Sequence, residues 1–147
     1  NIGNGIIYTI KEHKFTDVVI GLHRHAEEGE HFFGPVAERI LRRAPETIYI
    51  YKSAQPLNTL KRIVVAVPPN AEYEPGFHHW FGRLYTISKE LALPLVIYAN
   101  NNTISRLESL SRNKAAETII SFKEFSYWDE FLLFAREVKK DDLFVIS

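Results

Sequence analysis

The sequence predicts an α/β protein in which a mostly parallel sheet lies between two layers of helices. Short runs of β-branched and apolar residues recur along the chain, and most of them alternate with segments whose apolar residues have helical spacing. Strands that alternate with helices are joined by right-handed crossovers, which place helices against the sheet. The predicted fold class is therefore a three-layer α/β/α, Rossmann-like arrangement.

Six short segments have the composition of strands. Each is bounded by turn-forming or charged residues, and several are apolar nearly throughout. That composition is typical of strands covered on both faces in a parallel sheet. In chain order the predicted strands are residues 17–21, 47–51, 62–67, 94–99, 118–122 and 142–146.

Four segments between these strands place their apolar residues on one face of a helix. The first two faces are Val36, Ile40, Leu41 and Ala44, and then Phe77, Trp80, Phe81, Leu84, Ile87 and Leu91. The other two are Ile104, Leu107 and Leu110, and then Trp128, Phe131, Leu132, Ala135 and Val138.

The composition narrows the classes of function. A length of 147 residues suits one compact domain, and 18 basic residues balance 18 acidic ones. The balance gives no electrostatic reason to expect a nucleic acid or an anionic membrane surface as partner. The chain has no cysteine, which excludes disulfides and zinc–thiolate sites, and no apolar run reaches the roughly 18 residues of a membrane span. Since it also lacks methionine, we interpret it as a fragment of a longer protein.

Two features indicate a tandem arrangement. The passage from residue 51 to residue 62 joins one strand to the next without room for a full helix. A predicted strand that begins with an aspartate and follows a charged helix end, here called an acid-led strand, occurs twice. The two aspartates are Asp17 and Asp142, 125 positions apart. We predict the C-terminal part of one unit in residues 1–53, a linker in 54–61, and the first four strands of a second unit in 62–147. The alternative is coincidence, because charged helix ends often precede buried strands.

A glycine pattern follows the first acid-led strand. Gly21 ends that strand, and Gly34 begins the next helical segment. This arrangement resembles the universal stress protein family, in which a loop of pattern Gly-x2-Gly-x9-Gly-Ser/Thr follows the fourth strand. The resemblance implies a unit of five parallel strands in the order 3-2-1-4-5 and an adenine nucleotide, ATP or AMP, as ligand.

The segment of residues 32–53 is more specifically similar to the cytoplasmic tails of bacterial cation/proton (Na+/H+) antiporters. The similarity implies a non-catalytic regulatory or assembly domain that responds to nucleotide or pH. Its partner would be the membrane transporter domain of the same polypeptide, at the cytoplasmic face of the inner membrane. These residues themselves would be soluble, without insertion into the membrane. The alternative is a free-standing adenine-nucleotide-binding stress protein.

The nucleotide-binding loop departs from the family pattern. Arg24 stands where the middle glycine belongs, and Pro35, which has no N–H to donate, follows Gly34. After the third predicted strand, Val67 is followed by Pro68, where the family often has an aspartate. The candidate nucleotide residues are thus Gly21, Arg24, Gly34, Val67 and Pro68, in a degenerate loop that favours support of the fold over binding.

Three histidines, His23, His25 and His31, share one loop with three glutamates. Imidazole and carboxylate ligands suit zinc or nickel, and histidines beside acids also suit a pH sensor, because histidine titrates near neutrality. The third interpretation, an exposed polar loop, is the one we favour, and we predict no metal site.

The pattern of residues 47–51 favours association. Ile48 and Ile50 alternate with Tyr49 and Tyr51, which gives one apolar and one aromatic face. In the family the last strand often lies at a sheet edge, and an exposed edge is a template for pairing. We expect a homodimer or a tandem pseudo-dimer through this strand. No catalytic motif is recognisable, so we predict a protein that is not an enzyme.

Overall fold

The structure is a computed structural model that describes residues 2–21, 34–52, 55–114, 118–130 and 134–147, without the side chains of Gly34 and Glu130. The chain divides into two compact units, Asn1–Ala54 and Gln55–Ser147. Within the described residues, no helix has the length and the apolar character that a membrane span requires.

The first unit consists of two helices and two parallel strands. Helix α1 spans Ile2–His13, strand β1 Asp17–Gly21, helix α2 Gly34–Arg43 and strand β2 Thr47–Tyr51. The register of the two strands runs from Asp17 opposite Thr47 to Gly21 opposite Tyr51. The helices bury one apolar stripe each, Ile7 and Ile10 in α1 and Ala37 and Ile40 in α2.

The second unit contains a four-stranded sheet that is parallel throughout. Its elements are β3 (Arg62–Ala66), α3 (Phe77–Leu91), β4 (Leu95–Ala99), α4 (Asn101–Ser111), β5 (Ile120–Glu124) and β6 (Asp142–Ile146). The strands lie in the order β5-β4-β3-β6. The two central strands, β3 and β4, carry the most apolar sequences and are almost entirely buried, as expected for a sheet covered on both faces.

The core of the second unit lies on both faces of this sheet because successive strand residues point to opposite sides. One face packs against α3 and α4; its buried residues include Ile63, Val65, Leu95 and Ile97 of the strands and Phe77, Phe81, Leu84 and Leu107 of the helices. The other face packs against described residues of the segment between β5 and β6. Its buried members are Val64, Ala66, Val96, Tyr98 and Phe134, flanked by Phe125, Trp128, Val138 and Phe144. The unit therefore has three layers.

The α/β class and the parallel pairing of the predicted strands are confirmed. A single five-stranded sheet of order 3-2-1-4-5 does not occur among the described residues, which form one sheet of two strands and one of four. The last predicted helix differs as well. Its described ends are short 3-10 turns at Trp128–Glu130 and Ala135–Glu137, while Phe131 and Leu132 lie outside the described residues. The aromatic ring of Phe125 packs there against the rings of Trp128 and Phe134.

Candidate functional site

The carboxyl ends of β3 and β4 lie at one edge of the second unit's sheet, where open α/β sheets usually bind ligands. The chain leaves β3 through Val67, whose N–H donates to the carbonyl of Tyr98 at 2.9 Å and prolongs the ladder. It then turns at Asn70, whose φ of 68° lies in the left-handed region that asparagine tolerates. Ala71 is buried directly after this turn. The loop after β3 is thus held against the sheet.

A carboxylate fixes this loop to the start of α4. Thr103 is fully buried, and its hydroxyl donates to Glu72 Oε2 at 2.6 Å. Asn100 caps the same helix, since its Oδ1 accepts the N–H of Thr103 at 2.9 Å. The first turn of α4 contains no acidic residue, so the Glu72 carboxylate supplies the negative charge that a helix N-terminus favours.

An open groove of about 580 Å³ runs between this loop and α4. Its lining residues are Glu72, Tyr73, Asn102, Ser105, Arg106 and Ser109. Tyr73 is 78% exposed and offers an aromatic face to solvent. Because the only carboxylate in the lining already accepts the Thr103 hydroxyl, the groove offers hydrogen-bonding groups and one positive charge rather than a nucleophile with its base. No local sequence pattern predicts this groove, because its residues come together only when α4 lies beside the loop.

The predicted nucleotide residues fall in different parts of the chain. Gly21 is the last residue of β1, with open space around the position of a Cβ atom, and Gly34 is the first residue of α2. Val67 is buried and Pro68 half-buried at the end of β3, in the other unit. Arg24 lies outside the described residues. The predicted nucleotide role of these residues therefore stays a prediction.

The predicted histidine cluster, His23, His25 and His31, also lies outside the described residues. In the part of the chain that the structure describes, no group of three or more histidine, aspartate and glutamate side chains could hold a metal ion.

The predicted association strand forms as β2. It pairs in parallel with β1 along its whole length, and all five of its residues are half-buried. In the register of the two strands, Ile48 lies opposite Val18 and Ile50 opposite Ile20. Association through this strand stays a prediction.

An ion pair lies at the opposite end of the second unit's sheet, where β3 and β6 begin. Arg62 opens β3 and Asp142 opens β6 directly beside it. The guanidinium donates Nε–H to Asp142 Oδ1 at 2.7 Å and Nη2–H to Oδ2 at 2.9 Å, and Nη2 also donates to the carbonyl of Glu137 at 2.8 Å. The N–H of Lys139 donates to Asp142 Oδ2 at 2.7 Å. The side chain of Asp142 is 1% exposed and that of Arg62 is 22% exposed, so the pair joins two neighbouring strands, β3 and β6, through a contact whose carboxylate is buried.

Burial of the Asp142 carboxyl raises its pKa, but the hydrogen bonds from Arg62 and from the Lys139 N–H lower it by more. The pKa of Asp142 therefore lies below its ordinary value. The hydrogen bond to Asp142 raises the pKa of Arg62, with burial opposing it. Both groups are charged at neutral pH, as a bidentate arginine–carboxylate pair requires.

Comparisons of this chain with protein-family models, with curated proteins and with solved structures found no significant match. The class of protein is therefore defined by the fold itself, an α/β protein with parallel strands.

Proposed function

We propose that this chain is a non-catalytic regulatory and assembly domain of the universal-stress-protein type, belonging to a cation/proton antiporter. The observation that carries the proposal is the strand order of the second unit. Counted within that unit, β3, β4, β5 and β6 are strands 1 to 4, and their order is 3-2-1-4. This order is the first four positions of the predicted 3-2-1-4-5, and a chance topology would have had many alternatives.

The first unit supports the same interpretation. Its helix-strand-helix-strand order, with β1 beside β2, is the order expected for strands 4 and 5 of such a unit. The two aspartates of the sequence repeat occupy the same position in the structure. Asp17 is the first residue of β1 in the first unit, and Asp142 is the first residue of β6 in the second. The two units are then the end of one repeat and the start of the next.

The start of the loop after β3 supports a role other than nucleotide hydrolysis. The position after Val67 carries a proline, which can neither donate an N–H nor accept with a side chain as an aspartate would. The first backbone N–H of the loop, that of Val67, is already used by Tyr98. Association through β2 and a transporter domain in the same polypeptide, at the cytoplasmic face of the inner membrane, are parts of this proposal.

Isothermal titration with ATP, ADP and AMP separates this proposal from the second candidate, a free-standing nucleotide-binding stress protein. We expect no saturable binding by the 147-residue chain, because Pro68 has replaced the family's acid and Arg24 its central glycine. Tight, saturable binding of an adenine nucleotide would favour the second candidate instead.

A further inference from the structure

Three arginines on α2 form an unusual surface in the first unit. Arg39, Arg42 and Arg43 line a shallow groove of about 300 Å³ together with Pro35 and Glu38. Arg42 and Arg43 are exposed, and Arg39 is half-buried. Among the described residues, none of the three arginines forms an ion pair with a carboxylate.

Two of these guanidinium groups converge on one atom. Arg39 Nη1 and Arg43 Nη1 both donate to Asn4 Oδ1 of α1, each at 3.4 Å. Such distances are at the long limit of a hydrogen bond, and an amide oxygen carries no charge to offset two cations. Like charges four residues apart on a helix repel each other. The pair is therefore held together around an acceptor that is too weak to neutralise it.

Basic residues in the last turn of a helix also stabilise its dipole, and this effect accounts for part of the cluster. It accounts for Arg42 and Arg43, which end α2. It does not account for Arg39, which lies in the middle of the helix and points to the same oxygen as Arg43. A second reason is needed for the convergence.

We infer that Arg39 and Arg43 form a binding site for a phosphate group, with Arg42 at its rim. An arginine presents five N–H donors in a planar fork, and each of these two guanidiniums uses one of them on Asn4. Two forks aimed at one point match the oxygens of a phosphate, which accepts bidentate pairs from arginine. The phosphate would accept from the remaining N–H donors of the two guanidiniums, beside Asn4, and would add negative charge to a groove whose lining holds three arginines and one carboxylate, Glu38. Its source is either a free phosphate compound or a phospholipid headgroup.

The test titrates the 147-residue chain with inorganic pyrophosphate, and separately measures its co-sedimentation with phosphatidylglycerol vesicles against phosphatidylcholine vesicles. We expect saturable binding in at least one arm, and the arm that responds identifies the source. The double variant Arg39→Gln/Arg43→Gln should weaken that binding at least about tenfold. The matched control Arg112→Gln/Arg136→Gln removes two exposed charges from the other unit and should leave binding unchanged.

A second variant separates binding from folding. Asn4→Asp places a carboxylate between the two guanidiniums and in the first turn of α1, so the fold should keep or gain thermal stability. The same carboxylate should occupy the site and weaken phosphate binding, again by about tenfold or more. Absence of binding in both arms, or equal binding by the wild type and the Arg39→Gln/Arg43→Gln variant, would overturn the inference.

Discussion

At the scale of single residues, the contact between Arg62 and Asp142 joins strands that are far apart in sequence. The two guanidinium–carboxylate bonds bring together the first strand and the last strand of the second unit. The carbonyl of Glu137 and the N–H of Lys139 add the segment that leads into β6. A pair with this many partners positions a strand as well as stabilising it.

Replacement of Asp142 by asparagine should destabilise the chain by about 3 kcal/mol, because it leaves the Arg62 guanidinium partly buried without its counter-charge. Chemical denaturation at pH 7 measures the effect. Asp141→Asn, one residue earlier, removes the same charge without touching Arg62 and should cost less than about 0.5 kcal/mol. Equal costs for the two variants would show that the pair contributes nothing specific.

The same pair predicts the pH dependence of stability. Since the pKa of Asp142 is lowered by folding, its stabilising contribution is complete above the unfolded-state pKa, near 4. The contribution is lost as the pH falls through the lower, folded-state pKa. The free-energy difference between the wild type and Asp142→Asn should therefore be constant from about pH 7 to pH 5 and shrink below about pH 4. A difference that grows on acidification would contradict this assignment.

Thr103 is the residue that connects the loop after β3 to α4. Thr103→Val keeps the shape but leaves the Glu72 carboxylate without its 2.6 Å hydrogen bond. We expect a loss of about 1–2 kcal/mol in the free energy of unfolding and faster hydrogen exchange in residues 68–76. Thr86→Val removes an exposed hydroxyl bonded only to its own helix and should be within about 0.5 kcal/mol of wild type. Equal free energies of unfolding for Thr103→Val and Thr86→Val would show that the hydrogen bond to Glu72 does not stabilise this loop.

At the scale of the elements, α1 and α3 end in the same way. The N–H of Phe15 reaches back to Ile10 and the N–H of Leu93 to Ser88, across residues whose φ is positive, Lys14 and Ala92. This geometry is a Schellman motif, in which glycine usually occupies the left-handed position. Ala92, with φ of 51°, therefore carries a steric cost that glycine would not.

Ala92→Gly should stabilise the chain by about 0.5–1 kcal/mol, because relief of the left-handed strain exceeds the extra entropy of the unfolded state. The melting temperature measures the change. The exposed Ala135 has no positive φ, so Ala135→Gly should be neutral or destabilising. A loss of stability on Ala92→Gly would contradict the strain argument.

The elements also show what the sequence could predict. Strands β1, β2 and β6 have the predicted bounds, because each apolar run is closed by charged or turn-forming residues. Strand β5 begins two residues later than predicted, at Ile120, although the carbonyl of Ile119 accepts the N–H of Leu95. Most of α1 was not predicted, because Gly3 and Gly5 interrupt a stripe that consists only of Ile7 and Ile10.

The sites were less predictable than the strands. The groove beside α4 and the convergence of Arg39 and Arg43 on Asn4 depend on contacts between separate elements, which no local pattern encodes. Asp142 was noticed as a strand-opening acid, but its partner Arg62 lies 80 positions away. Only the parallel register of β3 and β6 brings the two residues together.

At the scale of the whole molecule, the chain consists of two units, and each contains some of the strands of the five-stranded order 3-2-1-4-5. The second has strands in the order 3-2-1-4, and the first has an acid-led strand beside one further strand. We propose that a longer polypeptide contains these units in tandem and links them to a transporter. The domain would then act by association and not by chemistry of its own.

The most direct test of this proposal measures cation/proton exchange in membrane vesicles that contain the parent polypeptide, with and without residues 1–147. We predict exchange in both cases, with a changed dependence on pH or on nucleotide when the residues are deleted. A parent polypeptide that catalyses no exchange, or exchange that is identical after the deletion under every condition, would contradict the proposed regulatory role.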